Sequence, residues 1–180
     1  MATGGVFHCK KNAMKKLAFM WIALLSLLAG PSLAQSVQNK RYDRLLRLIL
    51  NKSVPAISVE QLRQPGKMLV LDAREPAEFA VSHLAGAVPV GYKQLDLRAL
   101  SSVAKDQPIV VYCSVGYRSQ KVTRTLASQG FTNVRNVYGG IFEWVNRGYP
   151  VVNSQGSTDS VHAFSKSWGQ WLERGQKVYN

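Results

Sequence analysis

Short apolar runs alternate along the chain with segments in which apolar residues recur at helical spacing. Residues 68–74 and 108–113 have strand length and are apolar until their last positions, and 134–140 is a third strand ending in a double glycine. Strands that are apolar on both faces are typical of a parallel sheet covered by helices on both sides. The pattern predicts an α/β fold with its ligand site beyond the carboxyl ends of the strands, where Asp72 and Cys113 lie.

Segments between these runs have the periodicity of helices that pack one face on a sheet. Pro76 suits the first turn of one such helix, and Gly130 suits the end of another. Residues 88–90 form a short extended piece. Helices are predicted within 41–52, 56–66 (a single turn), 75–87, 92–103, 118–130 and 141–152 (with an extended tail).

The first 34 residues have the composition of an export signal. Two lysines precede the apolar stretch 17–30, and Ser32 and Ala34 occupy the positions that signal peptidase recognises. The stretch is shorter than the roughly 20 apolar residues of a membrane-spanning helix. We therefore predict a signal peptide over 1–34, with Met14 as an alternative start, and a periplasmic or secreted mature chain. An uncleaved membrane anchor is the alternative.

The last segment, 153–180, differs in pattern from the predicted domain of residues 35–152. Residues 153–160 are small and polar, which is typical of a linker. The apolar residues that follow recur at spacings of three and four: Val161, Phe164, Trp168 and Trp171. This spacing predicts a C-terminal amphipathic helix. Its aromatic stripe would pack on the domain or, alternatively, bind a protein partner.

Charge narrows the classes of ligand. The net charge is +13, and removing the four lysines of the predicted signal leaves +9. This charge favours small anions. The basic residues are scattered, without the run or aromatic-interleaved stripe of a nucleic-acid-binding protein, so no nucleic acid is expected. No cluster has metal-ligand spacing, so no metal is expected.

Cysteine usage singles out one thiol. The chain has two cysteines, and Cys9 precedes or falls within the predicted signal, so the mature chain would hold Cys113 alone. An exported chain with one cysteine cannot form an internal disulfide. Cys113 is therefore either an inert buried residue or a reactive thiol that has a function in the protein.

The loop after Cys113 has the features of an anion cradle. Small Ser114 and flexible Gly116 allow successive backbone N–H groups to turn inward, and the helix that follows adds its positive end. The anion at the centre would be the Cys113 thiolate or an oxyanion attached to it. Arg118 adds a fixed positive charge, and Ser119 is well placed to cap the helix.

These motifs resemble those of the single-domain rhodaneses, a family of sulfurtransferases. The matching segments are "VLDAR" at 70–74, "EFAVSHLAGAVPV" at 78–90, "IVVYCSVGYRS" at 109–119, "LASQGFTNVRNVYGG" at 126–140 and "FEWVNRGYPV" at 142–151. The resemblance implies a rhodanese-like fold with a mostly parallel sheet of about five strands. It also implies that Cys113 takes a sulfane sulfur from a donor such as thiosulfate, carries it as a persulfide and passes it to cyanide or a thiol.

The resemblance assigns roles to the residues around the thiol. The loop whose amides would hold the persulfide consists of Ser114, Val115, Gly116, Tyr117, Arg118 and Ser119. Its C-x4-R spacing is one residue shorter than the C-x5-R of related dual-specificity phosphatases, which suits a single sulfur atom. The implied partners are a small anionic sulfur donor and a thiol or cyanide acceptor. No cofactor is expected besides the covalent persulfide.

Charged residues outside the loop have less specific expectations. Asp72 would help to order the site or, alternatively, cap the helix that follows. Arg74 and Glu78 are expected to form ion pairs or to start that helix. His83 is expected to be structural, because no second site residue is available to orient it as a base, and a catalytic role is the alternative. Asp72, Arg74 and His83 are the candidate supporting residues of the site. His162 is expected to be isolated in the tail.

Two other functions remain open on the sequence. A binding or sulfur-carrier module with little turnover would use the same loop for recognition. An arsenate reductase or small phosphatase is disfavoured by the short loop and by the lack of a resolving cysteine in the mature chain.

Overall fold

The computed structural model of the protein describes residues 36–64 and 66–179. The predicted export signal lies outside the described residues, so export stays a prediction of the sequence. None of the helices in the described part of the chain is long and apolar enough to cross a membrane.

Five short parallel strands form the central sheet, as the sequence predicted. Their bounds are Ala56–Ile57 (β1), Leu69–Asp72 (β2), Val88–Pro89 (β3), Ile109–Tyr112 (β4) and Val134–Val137 (β5). Their order across the sheet is β1, β5, β4, β2, β3. The middle strand, β4, pairs with β2 on one side and β5 on the other. Cys113, the residue after β4, therefore lies at the centre of the sheet's carboxyl edge.

Helices surround this sheet. Their bounds are Lys40–Ile49 (α1), Val59–Arg63 (α2), Pro76–Val81 (α3), Tyr117–Ser128 (α4) and Gly140–Asn146 (α5). Local signals fix their ends. The Asn39 side chain accepts hydrogen bonds from the first N–H groups of α1, Pro76 begins α3, and α4 stops before Gly130, whose φ is +88°.

The sheet is buried on both faces, which explains why its middle strand is apolar throughout. Val110 and Tyr112 of β4 belong to a core that includes residues of α1, α2 and α5. Ile109 and Val111 point to a second core that includes residues of α4. All four side chains are fully buried. This double burial holds the end of β4, and with it Cys113, in a fixed position.

The segment 92–103 is not the helix that its pattern predicted. It contains bends and a single 3₁₀ turn, Arg98–Leu100. The Asp96 carboxylate accepts hydrogen bonds from the backbone N–H and the guanidinium of Arg98, and such local bonds compete with helical ones. Leu95 still packs against the core. The segment thus contacts the core through partly buried apolar side chains, but it is not a helix.

The C-terminal segment also corrects the prediction of a linker and an amphipathic helix over 153–180. It forms strands Val151–Asn153 (β6), Gly156–Thr158 (β7) and Ser160–His162 (β8), a one-turn helix Lys166–Gly169 (α6), and strand Gln176–Val178 (β9). Strands β6 and β7 make an antiparallel hairpin, and β8 pairs in parallel with β9.

Turn chemistry and separate packing sites explain this difference. The Asn153 side chain accepts the N–H of Gln155, which helps to close a hairpin where the polar composition indicated a linker. Val161 is buried in the core, whereas Trp171 stacks on Tyr42 with ring centroids 5.5 Å apart. The spacings of three and four therefore come from side chains that pack in different places, not from one helical face.

Candidate active site

The loop between β4 and α4 carries Cys113 from the sheet directly to a helix N-terminus. Strand β4 ends at Tyr112 and α4 begins at Tyr117. Gly116 allows this sharp turn, because its φ of +106° lies in a region that side-chain-bearing residues rarely adopt. The partial positive charge of the helix terminus therefore lies beside the thiol.

Two groups lie within hydrogen-bond distance of the Cys113 sulfur. The Gly116 N–H donates to Sγ over 3.2 Å, and the Ser119 hydroxyl is 3.4 Å from Sγ. The sequence predicted that several backbone N–H groups of the loop would surround the sulfur. In the described loop, only one of these groups, the Gly116 N–H, contacts it. The prediction that Ser119 caps α4 is wrong, because Gly116 is the N-cap and Ser119 lies a turn further along.

Asn136 orients the Ser119 hydroxyl, although no sequence pattern singled it out. Its Nδ2 donates to the Gly116 carbonyl over 3.1 Å, which leaves Oδ1 to accept from Ser119 Oγ over 2.7 Å. In that arrangement Ser119 Oγ can accept a hydrogen bond from the Cys113 S–H. When the thiol ionises, the hydroxyl can rotate and donate to the sulfur instead. The one sequence feature that could have indicated Asn136 is that it is a polar residue within the predicted strand that became β5.

Helix α5 supports the other side of the loop. The N–H groups of Ile141 and Phe142 donate to the carbonyls of Cys113 (2.9 Å) and Ser114 (3.1 Å). Gly140 precedes them with a φ of +56°, and a Cβ atom there would collide with both carbonyl oxygens. The second glycine of the "YGG" motif is therefore required by the close approach of α5 to the loop.

Arg118 forms a buried ion pair with Glu78 of α3. Its two terminal nitrogens lie 2.6 and 2.7 Å from the two carboxylate oxygens, and one of them also donates to Ser114 Oγ over 3.0 Å. Burial acts to raise the pKa of Glu78, but the hydrogen bonds and charge of Arg118 outweigh it, so that pKa lies below its ordinary value. The predicted ion pairing of Glu78 is confirmed, and it compensates the fixed positive charge of Arg118.

We expect Glu78→Gln to reduce stability by about 2 kcal/mol at neutral pH, because neutral hydrogen bonds to Arg118 replace charge-assisted ones. Since folding lowers the pKa of Glu78, its stabilising contribution is complete above the ordinary value of 4.5 and is lost as pH falls through the lowered value. Urea unfolding between pH 3 and 7 should therefore show a smaller acid-induced loss in the variant. Parallel pH profiles for variant and parent would contradict this assignment.

A second ion pair lies entirely inside the domain, behind the end of β4. Arg74 donates from its backbone N–H, Nε and Nη2 to the Asp72 carboxylate, and both side chains are 0% exposed. The Arg74 guanidinium also lies 5.5 Å from the centroid of the Tyr112 ring and donates to the Ser82 carbonyl. Helix α3 is capped by Glu75. The expectation that Asp72 caps it is therefore wrong, whereas ion pairing by Arg74 is confirmed.

The two histidines among the described residues differ in their surroundings. His83 stacks on Phe79, its Nδ1 lies 3.0 Å from the Phe79 carbonyl, and its backbone bridges to Val152 of β6, all of which are structural contacts. His162, expected to be isolated, is buried instead. Its Nδ1 accepts the Phe164 N–H over 3.1 Å and lies 4.0 Å from Glu78.

A cavity of about 240 Å³ lies in front of the thiol. Its lining residues are Cys113, Ser114, Val115, Tyr117, Arg118, Phe164 and Trp168. Cys113 therefore lines an open space although it is itself only 1% exposed. A larger cavity of about 780 Å³ is lined by Arg74 and Phe79 but does not reach the thiol. Asp72 and His83 line neither the thiol cavity nor this larger one.

Comparison with known proteins identifies the family. The sequence model of the rhodanese-like domain family matches residues 56–147, which are just over half of the chain. The chain therefore belongs to the rhodanese-like domain family, and its five-stranded parallel sheet with surrounding helices is the fold of that family. The matched range contains the whole thiol loop but ends before Phe164 and Trp168.

Similar proteins carry names that refer to sulfur transfer. A sulfurtransferase from Allochromatium vinosum is 33% identical over 97 residues, which cover 54% of this chain and 90% of that protein. A thiosulfate sulfurtransferase from Pseudomonas fluorescens is 33% identical over 112 residues, covering 60% and 96%. A putative sulfur carrier protein from Bacillus subtilis is 31% identical over 99 residues, covering 53% of each chain. Sulfur transfer is thus the chemistry that these relatives support.

The structural comparisons agree on the fold. The solution structure of a rhodanese-like domain from Anabaena has a TM-score of 0.51 and 26% identity, and it covers 55% of this chain and 79% of that one. A thiosulfate sulfurtransferase from Pseudomonas aeruginosa has a TM-score of 0.53 at 21% identity, covering 71% and 25%. At that identity the second likeness concerns the fold alone.

Proposed function

We propose that the protein is a sulfurtransferase that moves a sulfane sulfur through a persulfide on Cys113. The observation that carries the proposal is the position of the sulfur, which accepts a hydrogen bond from Gly116 N–H, lies beside the N-terminus of α4 and borders a small cavity. These features favour an anionic sulfur atom. The relatives named as thiosulfate sulfurtransferases support thiosulfate as a donor.

The proposed reaction has two displacements. The Cys113 thiolate attacks the outer sulfur of thiosulfate, its bond to the central sulfur breaks, and sulfite leaves with the electron pair. The persulfide anion is then attacked at its outer sulfur by cyanide or a thiolate, which regenerates the Cys113 thiolate. The chemistry needs no cofactor. The hydrogen bonds of Gly116 N–H and Ser119 Oγ to Sγ would stabilise the Cys113 thiolate, which is the nucleophile of the first step and the leaving group of the second.

Thiosulfate treatment followed by intact mass spectrometry tests this proposal. The protein should gain the mass of one sulfur atom, and peptide mapping should place the gain on Cys113. Addition of cyanide should then remove the sulfur and release one equivalent of thiocyanate. If thiosulfate-treated protein gains no mass while its circular dichroism spectrum stays native, sulfur transfer from thiosulfate is contradicted.

A sulfur-carrier role is the second candidate. The relative named as a putative sulfur carrier favours it, as does the near-complete burial of Cys113, which limits acceptors to those that fit the cavity. A carrier would load with sulfur stoichiometrically but release thiocyanate slowly over many turnovers. Phosphatase chemistry is disfavoured, because Glu78 and Ser114 already occupy the terminal nitrogens of Arg118 that would bind a phosphoryl group.

A further inference from the structure

The C-terminal segment builds one wall of the thiol cavity. Phe164 and Trp168, which follow β8, line the cavity together with the loop residues Val115 and Tyr117. Both tail residues lie outside the matched range 56–147. The space in front of the sulfur is therefore shaped by a part of this chain that the family model does not include, and its walls are largely apolar and aromatic.

The backbone at Phe164 is in an unusual conformation. Its φ of +65° makes it the one non-glycine residue with positive φ in the described part of the chain. A bulky residue in that region is strained and persists where its surroundings impose it. Here the Phe164 N–H donates to His162 Nδ1, and the neighbouring Ser165 N–H donates to the Ala163 carbonyl over 2.8 Å. This backbone conformation places Phe164, which is 50% exposed, in the wall of the thiol cavity.

Charge in the cavity gives an inorganic dianion such as thiosulfate little advantage over a monoanionic organic donor. Arg118 is the one cationic residue among the lining residues, and its guanidinium is paired with both oxygens of Glu78. The guanidinium also lies over the Phe164 ring, with Cζ 5.0 Å from the ring centroid. Little uncompensated positive charge is left to attract a dianion, while the aromatic walls offer apolar contact to an organic group.

We propose that this cavity selects sulfane-sulfur donors whose leaving group carries a small apolar organic group, with Phe164 and Trp168 as the residues that contact that organic group. The inference rests on the proposed function and specifies its donor. An aryl thiosulfonate represents the class. The Cys113 thiolate attacks its terminal sulfur, the bond from that sulfur to the sulfonyl sulfur breaks, and the aryl sulfinate leaves with the electron pair. Total charge and oxidation states balance without any further reactant.

The proposal is tested by comparing two sulfur donors, benzenethiosulfonate and methanethiosulfonate, in assays of the full chain. The measured quantity is the ratio of their kcat/KM values with cyanide as acceptor. We expect Phe164→Gly to lower this ratio at least about tenfold, since apolar contact with the phenyl group is lost. The glycine also tolerates the positive φ, so this variant should fold at least as well as the parent.

Two further variants complete the test. Trp168→Leu removes the second aromatic wall while keeping an apolar side chain, and it should lower the ratio in the same direction. Leu48→Ala is the matched control, because it removes a side chain that is 79% exposed on α1 and does not line the cavity. Its ratio should equal that of the parent chain.

Separate outcomes distinguish this inference from the function on which it rests. Sulfur loading of Cys113 with an unchanged donor ratio in both aromatic variants would overturn the selection of organic donors and leave sulfur transfer standing. Failure of every donor to load Cys113 would overturn both. A lowered ratio in Phe164→Gly and Trp168→Leu, but not in Leu48→Ala, supports the proposal.

Discussion

Replacing Cys113 by serine should abolish sulfur transfer, with a fall of about 10³-fold or more in thiocyanate formation and no gain of sulfur mass after thiosulfate treatment. Serine is nearly isosteric, and its oxygen can still accept the Gly116 N–H that now contacts Sγ over 3.2 Å. The fold and the cavity should therefore survive while the nucleophile is lost. Thiosulfate:cyanide turnover and intact mass spectrometry on the same samples measure both effects.

Two comparisons make that experiment specific. Thermal unfolding of Cys113→Ser should lie close to that of the parent chain, so that lost activity is not lost folding. Ser128→Ala is a matched control, because it removes a hydroxyl from the far end of α4, where Oγ donates to the Thr125 carbonyl, and it should keep activity within about twofold. Residual turnover within tenfold of the parent in Cys113→Ser would mean that Cys113 is not the sulfur acceptor.

The sheet was predictable because its signals are local. A central strand buried on both faces must be apolar throughout, and the run at 108–113 shows this directly. The cap, proline and glycine signals likewise act within a few residues of the helix ends that they fix. The helix predicted over 92–103 failed for the same kind of reason, because the Asp96 side chain bonds to nearby backbone and replaces a helical turn.

The site was predictable in part. The sequence placed Cys113 at a strand end and beside a helix N-terminus, since both are determined by neighbouring residues. It could not show that Arg118 pairs with Glu78, forty residues earlier, or that Asn136 holds the Ser119 hydroxyl from the adjacent strand. These contacts depend on strand order, which brings distant segments together and leaves no periodic pattern in the chain.

The tail shows the limit of periodicity most clearly. The four apolar residues from 161 to 171 fit a helical stripe, yet the structure buries Val161 in a strand, stacks Trp171 on Tyr42 and directs Phe164 and Trp168 to the thiol cavity. Tertiary packing decided each position separately. The pattern favoured a docking helix, but two of the residues that produced it, Phe164 and Trp168, line the cavity of the candidate site.

The largest expected effect on stability comes from Asp72→Ala, which should lower the free energy of unfolding by about 3–5 kcal/mol. The substitution leaves the Arg74 guanidinium fully buried without its carboxylate. Burial acts to lower the pKa of Arg74, and the charge and hydrogen bonds of Asp72 reverse this and raise that pKa. Without Asp72 the protein must bury an uncompensated cation or expose it by opening the end of β2. Urea unfolding at pH 7 measures the loss.

Two variants separate the cost of a stranded charge from the loss of an ion pair as such. Asp96→Ala removes the partner of Arg98 from a pair whose side chains are 92% and 46% exposed, and it should leave the free energy of unfolding nearly unchanged. Combining Asp72→Ala with Arg74→Met should recover most of the stability, because a methionine can fill the space without needing a counter-charge. A double variant as unstable as Asp72→Ala alone would show that the pair itself, through its bonds to Ser82 and its contact with Tyr112, holds the strand end that carries Cys113.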